Sequence, residues 1–83
     1  MARFYLHLFD SIGYVADDEG HELPDLVAAR KTAVESIRDL VAADARAGVI
    51  HLEGRIEIRN HERQMLETVH YTDAFAISKG STA

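Results

Sequence analysis

Residues 25–48, DLVAARKTAVESIRDLVAADARAG, decide the fold of this chain. At about 100° per residue, their apolar side chains return to one side every three or four positions, as in an amphipathic helix. The stripe around Leu26 consists of Ala29, Ala33, Ile37 and Leu40, widened by Val34 and Val41. Pro24 and Asp25 favour a helix start, and Gly48 favours a helix end. The sequence therefore predicts one helix over residues 26–47.

Short apolar or alternating segments on both sides of this helix predict strands. The predicted strands are residues 3–9, 14–16, 55–59 and 65–71. Polar turns at residues 10–13 and 60–64 separate the strands of each pair. Residues 72–77 fit either an extension of the last strand or a short helical turn capped by Asp73.

The order strand, strand, helix, strand, strand predicts an α+β two-layer sandwich. In this arrangement, one long helix covers one face of an antiparallel sheet. At 83 residues and 9.3 kDa, the chain has room for one small domain. We expect that domain to span residues 1–77 and to be followed by a flexible tail at residues 78–83.

Composition and charge narrow the functional classes. The chain has 9 Lys and Arg, 14 Asp and Glu and a net charge of −5, which opposes broad binding to nucleic acid or to an anionic membrane. No apolar run approaches the roughly 20 residues that span a bilayer, and the N-terminus lacks the pattern of a secretory signal. Because the chain has no cysteine, we expect a reducing, cytoplasmic setting.

One face of the predicted sheet is left without a helix. Side chains alternate along a strand, so if Phe4, Leu6 and Leu8 point toward the helix, their neighbours point away. The uncovered side chains form a candidate interaction surface of Arg3, Tyr5, His7, Phe9, Arg55, Arg59, Leu66 and His70. The same alternation turns Glu67 toward the helix, an unfavourable position for a carboxylate.

This candidate surface has two interpretations. Aromatic and basic side chains on a sheet can stack single-stranded bases. They can equally bury one another when two sheets pair, as in a homodimer, or contact an unidentified protein partner. The net charge of −5 favours protein contact.

Arg30 is the unusual residue of the helix, because it lies close to the apolar stripe. It could bind an anion. The acids immediately before it favour a structural ion pair with Asp18, Glu19 or Glu22.

The chemistry of common active sites is missing from the sequence. There is no cysteine, no Gly-x-Ser-x-Gly motif and no glycine-rich phosphate loop. The five histidines, His7, His21, His51, His61 and His70, lack the i, i+4 and i, i+2 spacings that bring two imidazoles together on a helix or strand. The sequence predicts no enzyme activity, no metal site and no cofactor.

Several short motifs carry a family resemblance. These are RFYLH at 3–7, Asp10 and Gly13, DEGHELPD at 18–25, and AAR at 28–30. They resemble a family of small, mostly alphaproteobacterial proteins classed as a domain of unknown function. The resemblance covers about residues 3–77 and implies a short cytoplasmic protein with no assigned activity. A looser similarity of architecture links the chain to HicB-type antitoxins.

We therefore expect a cytoplasmic, non-enzymatic α+β protein that acts through protein contacts and forms a dimer. The alternative is a nucleic-acid-associated or antitoxin-like regulator that uses the uncovered sheet face. A third class is a small-molecule or metal binder that uses the histidines.

Overall fold

The computed structural model describes residues 1–11, 13–76 and 78. Its elements are strands β1 (Ala2–Asp10), β2 (Tyr14–Val15) and β3 (His21–Leu23), helix α1 (Leu26–Ala47), strands β4 (Gly54–Arg59) and β5 (Met65–His70), and a 3-10 helix at Tyr71–Ala74. The strands form an antiparallel sheet in the order β2-β1-β4-β5, and β3 pairs with β1. The predicted α+β architecture, a sheet packed against one long helix, is confirmed.

Helix α1 begins and ends where the sequence predicts. The Asp25 carboxylate accepts a hydrogen bond from the backbone N–H of Ala28 at 2.9 Å, which makes Asp25 the N-cap. Gly48 ends the helix with φ at +96°, in the left-handed region that glycine adopts without steric cost.

The last turn of α1 is tied to the loop that follows it. The Asp44 carboxylate accepts hydrogen bonds from the backbone N–H of His51 at 3.0 Å and from its ring nitrogen Nδ1 at 3.1 Å. The backbone hydrogen bond, followed by the ring contact, lowers the pKa of Asp44 below 3.8. A carboxylate close to the apolar stripe is thus accommodated without burial in the core.

The core lies between α1 and the facing side of the sheet. Ile37 of α1, Ile58 of β4 and Val69 of β5 are fully buried. The complete cluster of buried apolar residues is Phe4, Leu6, Ala29, Ala33, Ile37, Val41, Ile56, Ile58, Val69, Tyr71 and Ala74. The helix contributes positions four residues apart, so Val41 is buried whereas Leu40 is 40% exposed. The predicted stripe was displaced by one residue at this end.

A close backbone approach seats Tyr71 in this core. A Cβ atom at Gly54 would lie 2.7 Å from Cζ of the Tyr71 ring, so position 54 has no room for a side chain. Burial, together with the charges of Asp10 and Asp44, raises the pKa of Tyr71 above 10.0.

The sequence predicts no strand between residue 16 and the helix, whereas His21–Leu23 pair with Ala2–Phe4 of β1 and form β3. The element order is therefore β-β-β-α-β-β. Strand β3 consists of only three residues, and its pairing partner lies almost 20 positions earlier in the chain.

The chain after β5 resolves one of the open alternatives. Tyr71–Ala74 form a 3-10 helix, and the Asp73 carboxylate accepts a hydrogen bond from the backbone N–H of His70 at 3.0 Å. The helical-turn alternative for 72–77 is correct up to Ala74, and Ile77 lies outside the described residues. The predicted tail at 78–83 also lies outside them, apart from Ser78.

No helix in the described ranges is long and apolar enough to cross a membrane.

Candidate interaction face

We use the term open face for the side of the sheet that points away from α1. Its side chains are Arg3, Tyr5, His7, Phe9, Tyr14, Arg55, Glu57, Arg59, Leu66, Thr68 and His70. Strand pairing places them together, because cross-strand partners share a face: Tyr5 lies opposite Arg59, His7 opposite Glu57, and Phe9 opposite both Arg55 and Tyr14. In β5, Thr68 pairs with Glu57 and His70 with Arg55.

A row of aromatic rings crosses the open face. Tyr5 stacks on His7 with ring centroids 6.4 Å apart, and His7 is 5.9 Å from Tyr14. Tyr14 in turn lies 4.6 Å from Phe9, whose ring carries the Arg55 guanidinium at 4.2 Å from its centroid. These distances are typical of aromatic and cation–π contacts. The row is continuous, with Tyr14 exposed and Tyr5, His7 and Phe9 partly buried.

Glu57 lies at the centre of the same face and is 9% exposed. Its carboxylate accepts hydrogen bonds from Nε of Arg55 at 3.1 Å and from an Nη atom of Arg59 at 3.0 Å. Burial alone would raise the pKa of Glu57, but the bonds from Arg59 and Arg55 outweigh burial and hold it below 4.5. Both arginines are therefore partly neutralised where they meet the aromatic row.

Asp17 connects the outer edge of β1 to the loop between β2 and β3. Its carboxylate accepts hydrogen bonds from the backbone N–H of Leu6 at 3.1 Å and of Gly20 at 3.1 Å, and it contacts Nδ1 of His21 at 2.9 Å. The backbone N–H of Asp17 donates to Nδ1 of His7 at 3.0 Å, which fixes the orientation of that ring. One residue thus joins the strand edge, the loop and the aromatic row.

Gly20 holds the loop against the first ring of the row. Its φ is +73°, and a Cβ atom there would lie 2.9 Å from Cε2 of Tyr5. Only glycine combines this left-handed backbone with so close an approach to the ring.

Two shallow clefts flank the row. One, of about 330 Å³, is lined by Tyr5, His7, Asp17, Asp18, Arg59, Asn60, His61 and Arg63. The other, of about 420 Å³, is lined by His7, Phe9, Tyr14, Ala16, Asp18, Glu57, Arg59 and Arg63. Asp18, Arg59 and Arg63 line both clefts, so neither cleft has a single sign of charge.

A family model described as Domain of unknown function (DUF6894) matches residues 3–72. The chain belongs to this family. The match runs from β1 into the 3-10 helix, and it therefore includes the whole sheet, the helix and the open face. No curated protein and no solved structure matches the chain.

In this DUF6894 protein, the structure corrects the predicted partners of Arg30. Its guanidinium forms an ion pair with Glu67 of β5. The sequence placed Arg30 near the apolar stripe and turned Glu67 toward the helix, and each looked unfavourable alone. The fold brings the two together at the edge of the helix–sheet interface, where both are partly exposed.

The three acids predicted to pair with Arg30 lie at the open face instead, where they contact Arg3 or line the clefts. Strand β3 places Glu22 opposite Arg3, whose Nη2 donates to the Glu22 carboxylate at 2.8 Å. The other Nη atom of Arg3 donates to the backbone carbonyl of Glu19 at 2.6 Å. Asp18 lines both clefts.

The remaining predicted residues occupy the β5 side of the open face. Leu66 is 38% exposed. His70 lies beside Phe9 and Arg55 at a third shallow cleft of about 310 Å³. Because β4 lies between β1 and β5, His7 and His70 are on non-adjacent strands. The described residues contain no group of three or more His, Asp or Glu side chains that could hold a metal ion.

Three residues here were not predicted from the sequence: Tyr14 on the open face, and Asp17 and Arg63 at the clefts beside it. The polar turn predicted at residues 10–13 was a sequence signal that could have placed Tyr14 opposite Phe9. The hydrogen bond from the Asp10 N–H to the Gly13 carbonyl, at 2.9 Å, closes a tight hairpin turn and thereby pairs Phe9 with Tyr14. The other two lie in loops, and only the folded chain brings them to the sheet.

Proposed function

We propose that this protein is a non-enzymatic interaction module that forms a homodimer through its open face. The observation that carries the proposal is the row Tyr5–His7–Tyr14–Phe9, which crosses a sheet face that α1 does not cover. Burying such rings against a second copy would remove apolar area from water, at about 25 cal/mol per Å².

The size of the face predicts a weak dimer. The strands of the sheet are nine, two, three, six and six residues long. At about 3.3 Å per residue and about 4.8 Å between strands, they give a face of roughly 400 Å². Two copies would bury about 800 Å² in total, less than a standard protein interface. We therefore expect dissociation in the micromolar range.

The charge pattern favours a protein partner over nucleic acid. Arg55 and Arg59 bind Glu57, and Arg3 binds Glu22. Asp17 and Asp18 add negative charge at the rim of the clefts. A surface that binds the phosphate backbone of a nucleic acid needs an excess of cations. The open face and its clefts have at least as many carboxylates as guanidiniums.

Analytical ultracentrifugation of the wild type from 1 to 200 µM tests the proposal. We expect a dimer at tens of micromolar. Tyr14→Glu should weaken it strongly, because Tyr14 is 54% exposed and its replacement perturbs the rings more than the core. The double variant Tyr5→Glu/Phe9→Glu should be monomeric over the same range.

Val27→Glu is the matched control, since Val27 is 77% exposed on the helix, away from the open face. It should dimerise like the wild type. A wild type that stays monomeric at tens of micromolar would refute the homodimer. Tight, salt-sensitive binding of a single-stranded oligonucleotide, lost in Tyr5→Ala, would instead support the nucleic-acid alternative.

A further inference from the structure

Two charged side chains at the clefts of the open face have no intramolecular partner among the described residues. They are Arg63, in the β4–β5 hairpin, and Asp18, in the β2–β3 loop. Each of these two residues lines the 330 Å³ cleft and the 420 Å³ cleft. The other charged groups there are engaged: Arg59 binds Glu57, and Asp17 contacts His21. One cationic and one anionic side chain on this surface are thus available to a second molecule.

The two groups come from different loops at these clefts. Asp18 lies in the loop after β2, which pairs with β1, and Arg63 lies in the hairpin after β4. His7 of β1 and Arg59 of β4 line the clefts between them. Within one chain no ion pair joins Arg63 and Asp18, whose charged atoms lie more than 4.0 Å apart.

The backbone of Arg63 points to a role for its side chain. Its φ is +66°, in the left-handed region that favours glycine or asparagine. The conformation is held by a hydrogen bond from the Arg63 N–H to the Asn60 carbonyl at 3.0 Å and by one from Arg59 to the Arg63 carbonyl at 2.8 Å. An arginine at such a position is costly for the turn, and nothing in the described part of the chain uses its guanidinium.

We infer that, in the homodimer, Arg63 of each protomer pairs with Asp18 of the partner subunit. In a two-fold interface, a contact from one residue to another is always matched by its reciprocal. A two-fold axis midway between Arg63 and Asp18 produces both salt bridges at once and places Tyr5 and His7 close to the axis. This inference rests on the proposed function and specifies the partner as a second copy in a defined orientation.

Charge reversal tests the inference. Asp18→Arg and Arg63→Asp should each raise the dimer dissociation constant about tenfold, because each replaces two attractions with two repulsions. The double variant Asp18→Arg/Arg63→Asp should return to within about twofold of the wild type. Raising NaCl from 50 to 500 mM should weaken the wild type and the double variant equally.

Two further variants separate the interface from the fold. Arg63→Gly should keep or raise the melting temperature, since glycine adopts a positive φ without cost, and should weaken the dimer about threefold to tenfold. Lys31→Glu, a charge reversal at an exposed position of α1, should leave the dissociation constant unchanged.

The outcomes are distinguishable. If the wild type dimerises and the single reversals leave its dissociation constant unchanged, or if the double reversal is as weak as the singles, this inference is wrong and the proposed function stands. A monomeric wild type overturns both.

Discussion

The two faces of this sheet are made from alternate residues of the same strands and are stabilised in different ways. Toward α1, Ile58 and Val69 are fully buried in an apolar layer. Toward the open face, Glu57, the neighbour of Ile58, is almost equally buried among arginines and rings. On the first face burial is favourable in itself, whereas on the second it depends on matched charges. A face that is stabilised by paired charges and rings also offers charged groups and rings to a second protein.

The largest effect should come from breaking the apolar side. Ile58→Ala removes a fully buried side chain and leaves a cavity between β4 and α1, so we expect the free energy of unfolding to fall by about 2–5 kcal/mol. Urea denaturation followed by circular dichroism measures it. Ile50→Ala is the control, because the same change at a position that is 52% exposed should cost less than about 0.5 kcal/mol. Equal losses in the two variants would contradict the placement of the core.

A smaller effect should come from the charged side of the same strand. Glu57→Gln keeps the shape of the side chain but removes the charge that Arg55 and Arg59 bind. We expect a loss of about 1.5–3 kcal/mol at pH 7, the range for hydrogen bonds to charged groups.

The pH dependence of this loss provides its own check. The pKa of Glu57 is lower in the folded chain than its ordinary 4.5, because the bonds from Arg59 and Arg55 outweigh burial. Its contribution is therefore complete above pH 4.5 and disappears as the pH falls through the folded pKa. The difference in unfolding free energy between wild type and Glu57→Gln should shrink below pH 4.5. A difference that stays constant down to pH 2 would refute the pairing.

The smallest effect should come from the rim between helix and sheet. Arg30 and Glu67 form an ion pair whose side chains are 44% and 31% exposed. Exposed pairs contribute about 0–1 kcal/mol, so Arg30→Met should change stability within that range. If Arg30→Met abolished dimerisation without changing stability, the assignment of Arg30 as structural would be wrong.

The parts of the fold that depend on local pattern were predictable from the sequence. Helix α1 has a periodic stripe, an N-cap at Asp25 and a stop at Gly48, and all three are local signals. Strand β3 has no such signal. Its three residues lie in an acidic stretch before Pro24, and they become a strand only because β1 offers them an edge.

The candidate site shows the same division. Alternation along β1 and β4 was enough to place Tyr5, Phe9 and Arg59 on one face. The pairing of Arg30 with Glu67 could not be predicted from the sequence, because the two residues lie 37 positions apart and meet only when α1 crosses β5. Each was a visible anomaly in the sequence, and a charge turned toward the core on one element is a reason to search for its opposite on another.

Asp17 has a consequence for how this sheet can grow. Along the outer edge of β1, Phe4 pairs with β3 and Leu8 pairs with β2. Between them the Asp17 carboxylate occupies the backbone N–H of Leu6. A strand from another molecule therefore cannot pair along this edge of β1. Strands β2 and β3, which flank the Asp17 contact, are only two and three residues long and too short to template pairing. The six-residue strand β5 is the longer border left for extension, so any fibrillar or strand-exchanged form of this protein should add copies at β5 and leave the Asp17 side as the terminus.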